Sequence, residues 1–420
     1  MRKFVIILFF ITSIVNAQEK VVSLTECYES MLVNYPLANQ TDIYSQSSEL
    51  NTENLKTGWL PNAELNAQAS YQSDAIEIAI SAMGNDFGFK GEKDQYKASI
   101  DINQLIYDWG RIKSAKQVEN VDLKVNQQNA QVELNKVKEQ VNQFYFAILI
   151  LQHNDELLGV MLNDLKTKEI SVKSAVKNGV LLRSDLSTLK AEIIKVQQSI
   201  YEIQSQRVAA INILSEITGM NLSDESEFEI PEYEIDYEAS LNRPESMLFE
   251  YQREKLDATS SLISKQNKPT AFAFSQLGYG KPGLNMTSTE FDSYYYVGVG
   301  LKWKFWDWSK TKREKQVLSL NKELISTQEN SFNTQMSVAL KNEKSKIKIY
   351  EDAIQSDQEI IKLREEVSES ARARLDNGVI TSTDYITELS KETQAKINYE
   401  THKIQLVQSK VNYLYIKGEL

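Results

Sequence analysis

Residues 103–111 read Asn-Gln-Leu-Ile-Tyr-Asp-Trp-Gly-Arg, and residues 302–310 read Lys-Trp-Lys-Phe-Trp-Asp-Trp-Ser-Lys. The two aspartates, Asp108 and Asp307, stand 199 residues apart (307 minus 108). Each closes an alternating, strand-like run and opens a long helical pattern. The offset persists downstream, where Asn178-Gly179-Val180 returns as Asn377-Gly378-Val379, Asp185 as Asp384 and Gly219 as Gly418. Upstream it is 208, pairing Pro36 with Pro244 and Pro61 with Pro269. The chain therefore reads as one unit duplicated, with extra residues in the first copy between its proline and its aspartate.

Working outward from the first aspartate, residues 62–72 and 96–103 alternate with period two. Ala63, Leu65, Ala67, Ala69 and Tyr71 share one face, and Asn62, Glu64, Asn66, Gln68 and Ser70 the other. Tyr96, Ala98, Ile100 and Ile102 oppose Lys97, Ser99, Asp101 and Asn103 in the same way. Strands of about 10 residues suffice to cross a bilayer at a tilt. The intervening residues 73–95, with Gly84, Gly88, Gly91 and several charges, read as a loop. In the second copy, strands are expected over 270–279 and 294–305. Tyr294 to Tyr296 and Trp303 to Trp308 are placed like aromatic girdles at two interfaces. The facing of 270–279 is ambiguous, since Phe272 and Phe274 oppose Ala273, Ser275 and Leu277.

Helical patterns fill the rest. Val137, Phe144, Leu151, Leu158, Leu165 and Val172 recur every seven residues, the coiled-coil period. A helix over 111–177 would be roughly 100 Å long. Asn178-Gly179 reverses the chain, and Ser184 with Asp185 suits the start of a returning helix over 181–218. That helix and one over 23–57 together match the long one in length. The second copy repeats the order: a helix over about 240–267 ended by Pro269, a long helix over 310–376, and a return over 380–418. The expected organisation is a first repeat over 18–219, an acidic connector over 220–238 and a second repeat over 239–420.

Residues 1–17 read as a signal peptide, with Arg2 and Lys3 before an apolar stretch and Val15-Asn16-Ala17 as a cleavage site. Gln18, rather than cysteine, follows the cut, so no lipid anchor is expected. The net charge of -11 becomes -13 without that segment (-11 minus 2), which disfavours nucleic acid as a partner. The single cysteine, Cys27, falls in a helical pattern and is expected to be a small packed side chain. No later apolar run approaches a transmembrane helix, whereas a β-barrel gives a far weaker signal.

Four strands in two hairpins cannot close a barrel, and an open-edged sheet is not viable in lipid. Several chains must therefore contribute. Two would give eight strands and a filled interior; three would give twelve and room for a channel.

With these features the sequence resembles the TolC-like outer-membrane efflux channel family, the outer membrane factors of tripartite export systems, over essentially the whole mature chain. The resemblance rests on the helix–strand junctions at Pro61 and Pro269 and on the strand–helix motifs Tyr107-Asp108-Trp109-Gly110-Arg111 and Trp306-Asp307-Trp308-Ser309-Lys310. It rests equally on Asn178-Gly179-Val180 with Ser184-Asp185, and on Asn377-Gly378-Val379 with Thr383-Asp384-Tyr385, which match the family's helix-hairpin tips. It implies an α-helical barrel plus a transmembrane β-barrel. A homotrimer would close a twelve-stranded barrel in the outer membrane and a coiled-coil tunnel across the periplasm. The tips would dock a periplasmic adaptor and, through it, an inner-membrane pump. Asp384 falls at a position where acidic residues narrow the lumen in some members, while a second such position falls on Thr387. Latch positions filled elsewhere by Tyr and Arg fall on Leu375 and Ile380.

Enzymatic readings find little support. The chain has neither a nucleophile motif nor a glycine-rich phosphate loop, so no cofactor is expected. His153 and His402 lie in helical patterns without partnering Cys or carboxylate spacing, so no metal site is expected. Two other readings remain: a type I protein-secretion duct, and an exported coiled-coil scaffold or adhesin without a pore.

Overall fold

The structure, a computed structural model, describes residues 21–82, 85–238 and 240–420, with the backbone alone over 78–82 and 85–87. The expected signal peptide lies outside them. After β1 (Val21–Val22), helix α1 (Leu24–Asn34) opens with a capping box. The Ser23 hydroxyl accepts the Glu26 amide at 3.2 Å, and the Glu26 carboxylate accepts the Ser23 amide at 3.3 Å. The single helix expected over 23–57 is broken at Pro36. Proline lacks an N–H and pushes the preceding residue out of the helical region. Tyr35 is accordingly extended, and a short 3-10 turn over Pro36–Asn39 leads into α2 (Gln40–Thr57).

Strand β2 (Asn62–Tyr71) follows. The segment expected as a loop carries a small hairpin instead, β3 (Glu77–Ala82) paired with β4 (Asn85–Lys90). Then come β5 (Asp94–Tyr107), α3 (Arg111–Lys177), α4 (Arg183–Thr218) and β6 (Glu227–Phe228), which pairs in parallel with β1. In the second copy α5 (Pro244–Gln266) begins on its proline, tolerated there because the first helical amide needs no partner. Strands β7 (Thr270–Lys281) and β8 (Asp292–Lys302), then α6 (Lys310–Asp376) and α7 (Ser382–Lys417), complete the chain. Trp303 to Phe305, expected within the last strand, lie beyond its end. At the upstream repeat offset, α1 maps onto 232–242, where the described residues carry no helix.

By contacts the chain forms two compact units, and each draws on both repeats. The first takes 21–38 of the described residues with Gln131–Pro244 and Phe332–Leu420. One of its cores gathers Leu24, Cys27 and Met31 of α1, Val141, Tyr145 and Leu149 of α3, and Leu214 of α4 around Phe228. The Tyr145 hydroxyl lies 2.9 Å from the Val22 carbonyl oxygen and 2.8 Å from that of Glu229, donating to one at a time and anchoring the β1–β6 pair.

The second unit, Asn39–Ala130 with Glu245–Ser331, contains a four-stranded antiparallel sheet in the order β2-β5-β7-β8. Its register sets Leu65, Ile100, Leu277 and Tyr295 in one row across a single face. The adjacent row, on the opposite face, is Glu64, Asp101, Gln276 and Tyr296. Asn66 Nδ2 donates to Asp101 Oδ2 at 2.6 Å, and Gln276 also donates to Asp101. The register settles the facing of β7: Ala273, Ser275 and Leu277 share the apolar face, and Phe272 and Phe274 the polar one. The Phe274 ring lies against Gly298, where a β-carbon would come within 2.5 Å of it.

Candidate functional site

The residues singled out in the sequence fall in two places, the helix-hairpin tips of the first unit and the strand–helix junctions of the second. At the tips, α3 ends with the Gly179 amide donating to the Val176 carbonyl at 3.1 Å and Val180 to Ala175 at 2.9 Å. The second tip repeats the pair, Gly378 to Leu375 and Val379 to Arg374, both at 2.9 Å. This double bond pattern requires a left-handed residue just past the helix. Gly179 (φ 73°) and Gly378 (φ 67°) supply it. A β-carbon at Gly179 would enter open space, whereas one at Gly378 would lie 3.0 Å from Val180 Cγ1. The two tips therefore touch.

The returning helices start alike. Asp185 and Asp384 each accept the amide three residues back, Leu182 to Asp185 Oδ2 at 3.1 Å and Thr381 to Asp384 Oδ2 at 3.0 Å. Ser184, expected at the helix start, lies inside the first turn and is exposed; Leu182 holds the cap position. The equivalence then ends. Asp185 is buried, and its Oδ1 accepts the Ser382 amide of the other tip at 3.0 Å. Asp384 stays exposed and bonds also to the Thr381 hydroxyl, at 2.8 Å. Those Thr381 bonds hold its carboxyl below the ordinary carboxylate range. Asp384 borders a groove of about 540 Å³ lined also by Glu366, Arg374, Thr387 and Glu388. Leu375 is buried in the core between the tips, and Ile380 packs against that core.

At the junctions, Pro61 immediately precedes β2 and Pro269 precedes β7. Asp108 is buried, with Oδ1 accepting the Gly110 amide at 2.8 Å and Oδ2 the Ile112 amide at 2.6 Å. Asp307 Oδ2 accepts the Thr311 amide at 2.9 Å, the Thr311 hydroxyl at 2.6 Å and Asn267 Nδ2 at 2.5 Å. The Thr311 bonds, then the Asn267 bond, hold the Asp307 carboxyl well below its usual range. Each carboxylate closes the exposed amides of a long helix. The chain between strand and helix turns through left-handed residues, Trp109 and Gly110 in one copy and Trp308 and Ser309 in the other.

No family model matches the chain, and no curated protein does. Solved structures do. The Campylobacter jejuni CmeC outer membrane channel aligns at 15% identity with TM-score 0.68, covering 94% of this chain and 85% of that one. The Vibrio cholerae outer membrane protein VceC aligns at 14% identity with TM-score 0.69, covering 94% and 96%. The Neisseria gonorrhoeae MtrE outer membrane channel aligns at 13% identity with TM-score 0.68, covering 94% and 88%. The fold is that of a TolC-like outer-membrane channel.

Sequence reasoning missed the links between the tips. Lys168 Nζ, nearly buried, lies 2.9 and 3.0 Å from the two Asp376 carboxylate oxygens and 5.5 Å from the centre of the buried Tyr385 ring. One turn earlier, Arg372 Nη2 donates to Asp164 Oδ2 at 3.0 Å. These pairs join α3 to α6, and the only sequence signal for them is the spacing of opposite charges on two distant heptads. The histidines also differ from expectation, since each has a carboxylate partner. His402 Nδ1 lies 2.6 Å from Asp357 and His153 Nδ1 lies 3.2 Å from Glu156. Among the described residues no group of three or more His, Cys, Asp or Glu could hold a metal ion, and no helix is long and apolar enough to cross a membrane. The latter says nothing of a β-barrel.

Proposed function

We propose that the chain is the outer-membrane duct of a tripartite export system, a passive trimeric conduit for small molecules from a periplasmic adaptor to the exterior. The observation that carries this reading is the four-stranded sheet. One face bears an apolar row and the other a polar row, and among the described residues the outer edges of β2 and β8 have no partner. In lipid every backbone polar group must be paired, so such edges close only on further copies. Three copies give twelve strands, enough to leave a channel. The exposed apolar residues Val317, Leu320, Leu324, Val338 and Ile349 along α6 support packing between copies. The exposed tip residues Asn178, Gly179, Val180, Ser184, Asn377, Gly378, Val379 and Thr383 are assigned to adaptor docking. Asp384 is assigned to a lumen constriction, on its exposure and its place at the second tip.

The test is planar-bilayer conductance of the purified mature protein, with its mass determined in detergent. Trimers with a small, mostly closed, cation-preferring conductance are expected. A water-soluble protein without conductance would overturn the reading in favour of a scaffold.

A further inference from the structure

Both long helices begin with cations where helix electrostatics disfavours them. α3 opens with Arg111, Lys113 and Lys116, and α6 with Lys310, Lys312, Arg313 and Lys315; neither has an acidic residue in its first turn. A helix N-terminus carries partial positive charge, so these placements oppose the dipole. The return helices of the same chain obey the rule, with Asp185 and Asp384 in their first turns. In a chain of net charge -11, such a concentration at both strand–helix junctions is not a matter of composition.

Few of these cations are used internally. Lys310 lies 3.6 Å from Glu314, and Arg313 Nη1 donates to the Trp308 carbonyl at 2.9 Å. Arg111, Lys113, Lys116, Lys312 and Lys315 have no side-chain partner among the described residues. The helix amides do not explain them either, because Asp108 and Asp307 already close those. Immediately before the cations stand exposed aromatics, Tyr107 (50%) and Trp109 (48%) in one copy and Trp306 (63%) and Trp308 (78%) in the other. Indole rings beside free ammonium groups, at the end of an apolar sheet face, match the chemistry of a lipid headgroup layer.

We propose that the two helix starts form a contact belt for anionic phospholipid headgroups on the leaflet nearest the helices. This rests on the membrane-channel reading. The lysines and Arg111 meet the phosphates, and the aromatics lie at headgroup depth. Each cation near an anionic surface contributes about fivefold to lipid preference. Anionic cargo passing through the pore is the competing use of the same charges, and ion selectivity separates the two.

The full chain is reconstituted in vesicles of phosphatidylcholine alone and with about one third phosphatidylglycerol. Conductance is recorded, and bound lipid is counted by native mass spectrometry from mixed-lipid nanodiscs. Phosphatidylglycerol is expected to be enriched around the wild type. Combined Lys312→Gln and Lys315→Gln should lower that enrichment by roughly 25-fold at low salt. Lys312→Arg with Lys315→Arg should retain it, and conductance in phosphatidylcholine should be unchanged. Equal binding of the two lipids with normal conductance overturns the inference and leaves the channel standing. No conductance in either vesicle overturns both. A change of ion selectivity without a change in bound lipid places the cations in the pore and overturns the inference.

Discussion

The Ser382 amide donates to Asp185 Oδ1 at 3.0 Å, so a carboxylate in the first repeat holds the start of the last helix. Its other oxygen caps its own helix through Leu182. Asp384, its copy, uses its hydrogen bonds within its own cap on Thr381. Two residues equivalent by duplication thus divide the work, one joining the tips and one facing solvent.

Asp185→Ala leaves the buried Ser382 amide without its acceptor. A hydrogen bond to a charged group contributes about 1.5–3 kcal/mol, so amide exchange at Ser382 should quicken roughly 10- to 100-fold. Asp185→Asn keeps one carbonyl oxygen and should fall between. Unchanged exchange in the alanine variant would show that the tips are held by packing alone.

If Asp384 lines the narrowest part of a cation-preferring pore, Asp384→Ala should weaken divalent-cation block of single-channel current. The fold should be little affected, because Thr381 still caps Asp384's helix through its own hydroxyl. Block equal to wild type would remove this residue from the lumen.

Gly179 and Gly378 separate docking from packing. Gly179→Val meets only the left-handed backbone penalty and open space, so loss of export with trimers intact would place a partner at that spot. Gly378→Val also presses on Val180 and should lower the unfolding temperature further. Normal export by Gly179→Val would argue against docking there.

The acid limb of stability should depend on Asp307. Its folded pKa lies below the unfolded value of about 3.9, so its contribution is present above that pH and lost as pH falls through the folded value. Asp307→Asn should flatten the unfolding profile below about pH 4, followed by the fluorescence of the neighbouring tryptophans. Superimposable profiles would deny the carboxylate this role. The lowered Asp384 carboxyl carries the same sign.

Ser309 holds φ 60° where the first copy has Gly110. Ser309→Gly should raise stability by up to about 1 kcal/mol after the added freedom of the unfolded glycine is counted, read as a higher thermal midpoint in detergent. Gly110→Ala should lower stability by about 1–2 kcal/mol from backbone strain alone, since the nearest obstacle is the flexible Lys265 ammonium. A downward shift for Ser309→Gly would mean the serine hydroxyl compensates.

What was legible in the sequence was periodic or repeated. Asp108 and Asp307 announce themselves because each ends an alternation and begins a heptad. The apolar and polar rows of the sheet follow from period two once the register is fixed. What escaped was local or non-periodic. The β3–β4 hairpin is hidden by glycines and charges that also suit a loop. The break at Pro36 was masked by helical patterns on both sides, although proline's effect on Tyr35 gave the warning. The bond from Ser382 to Asp185 leaves no trace in sequence, because its donor is a backbone amide that any residue but proline would supply. The separate uses of Asp185 and Asp384 were likewise invisible, since both sit in the same local motif.

The pairs Asp164–Arg372 and Lys168–Asp376 carry their charges in opposite senses on α3 and α6. A slip of α6 by one turn in one direction would set Asp376 beside Asp164, and in the other Arg372 beside Lys168. Either step exchanges attraction for repulsion, the way mismatched charges exclude a wrong partner. The two rungs therefore act as a ratchet stop against longitudinal travel. If the tips widen, twisting or splaying the helices keeps both rungs paired where sliding would break them.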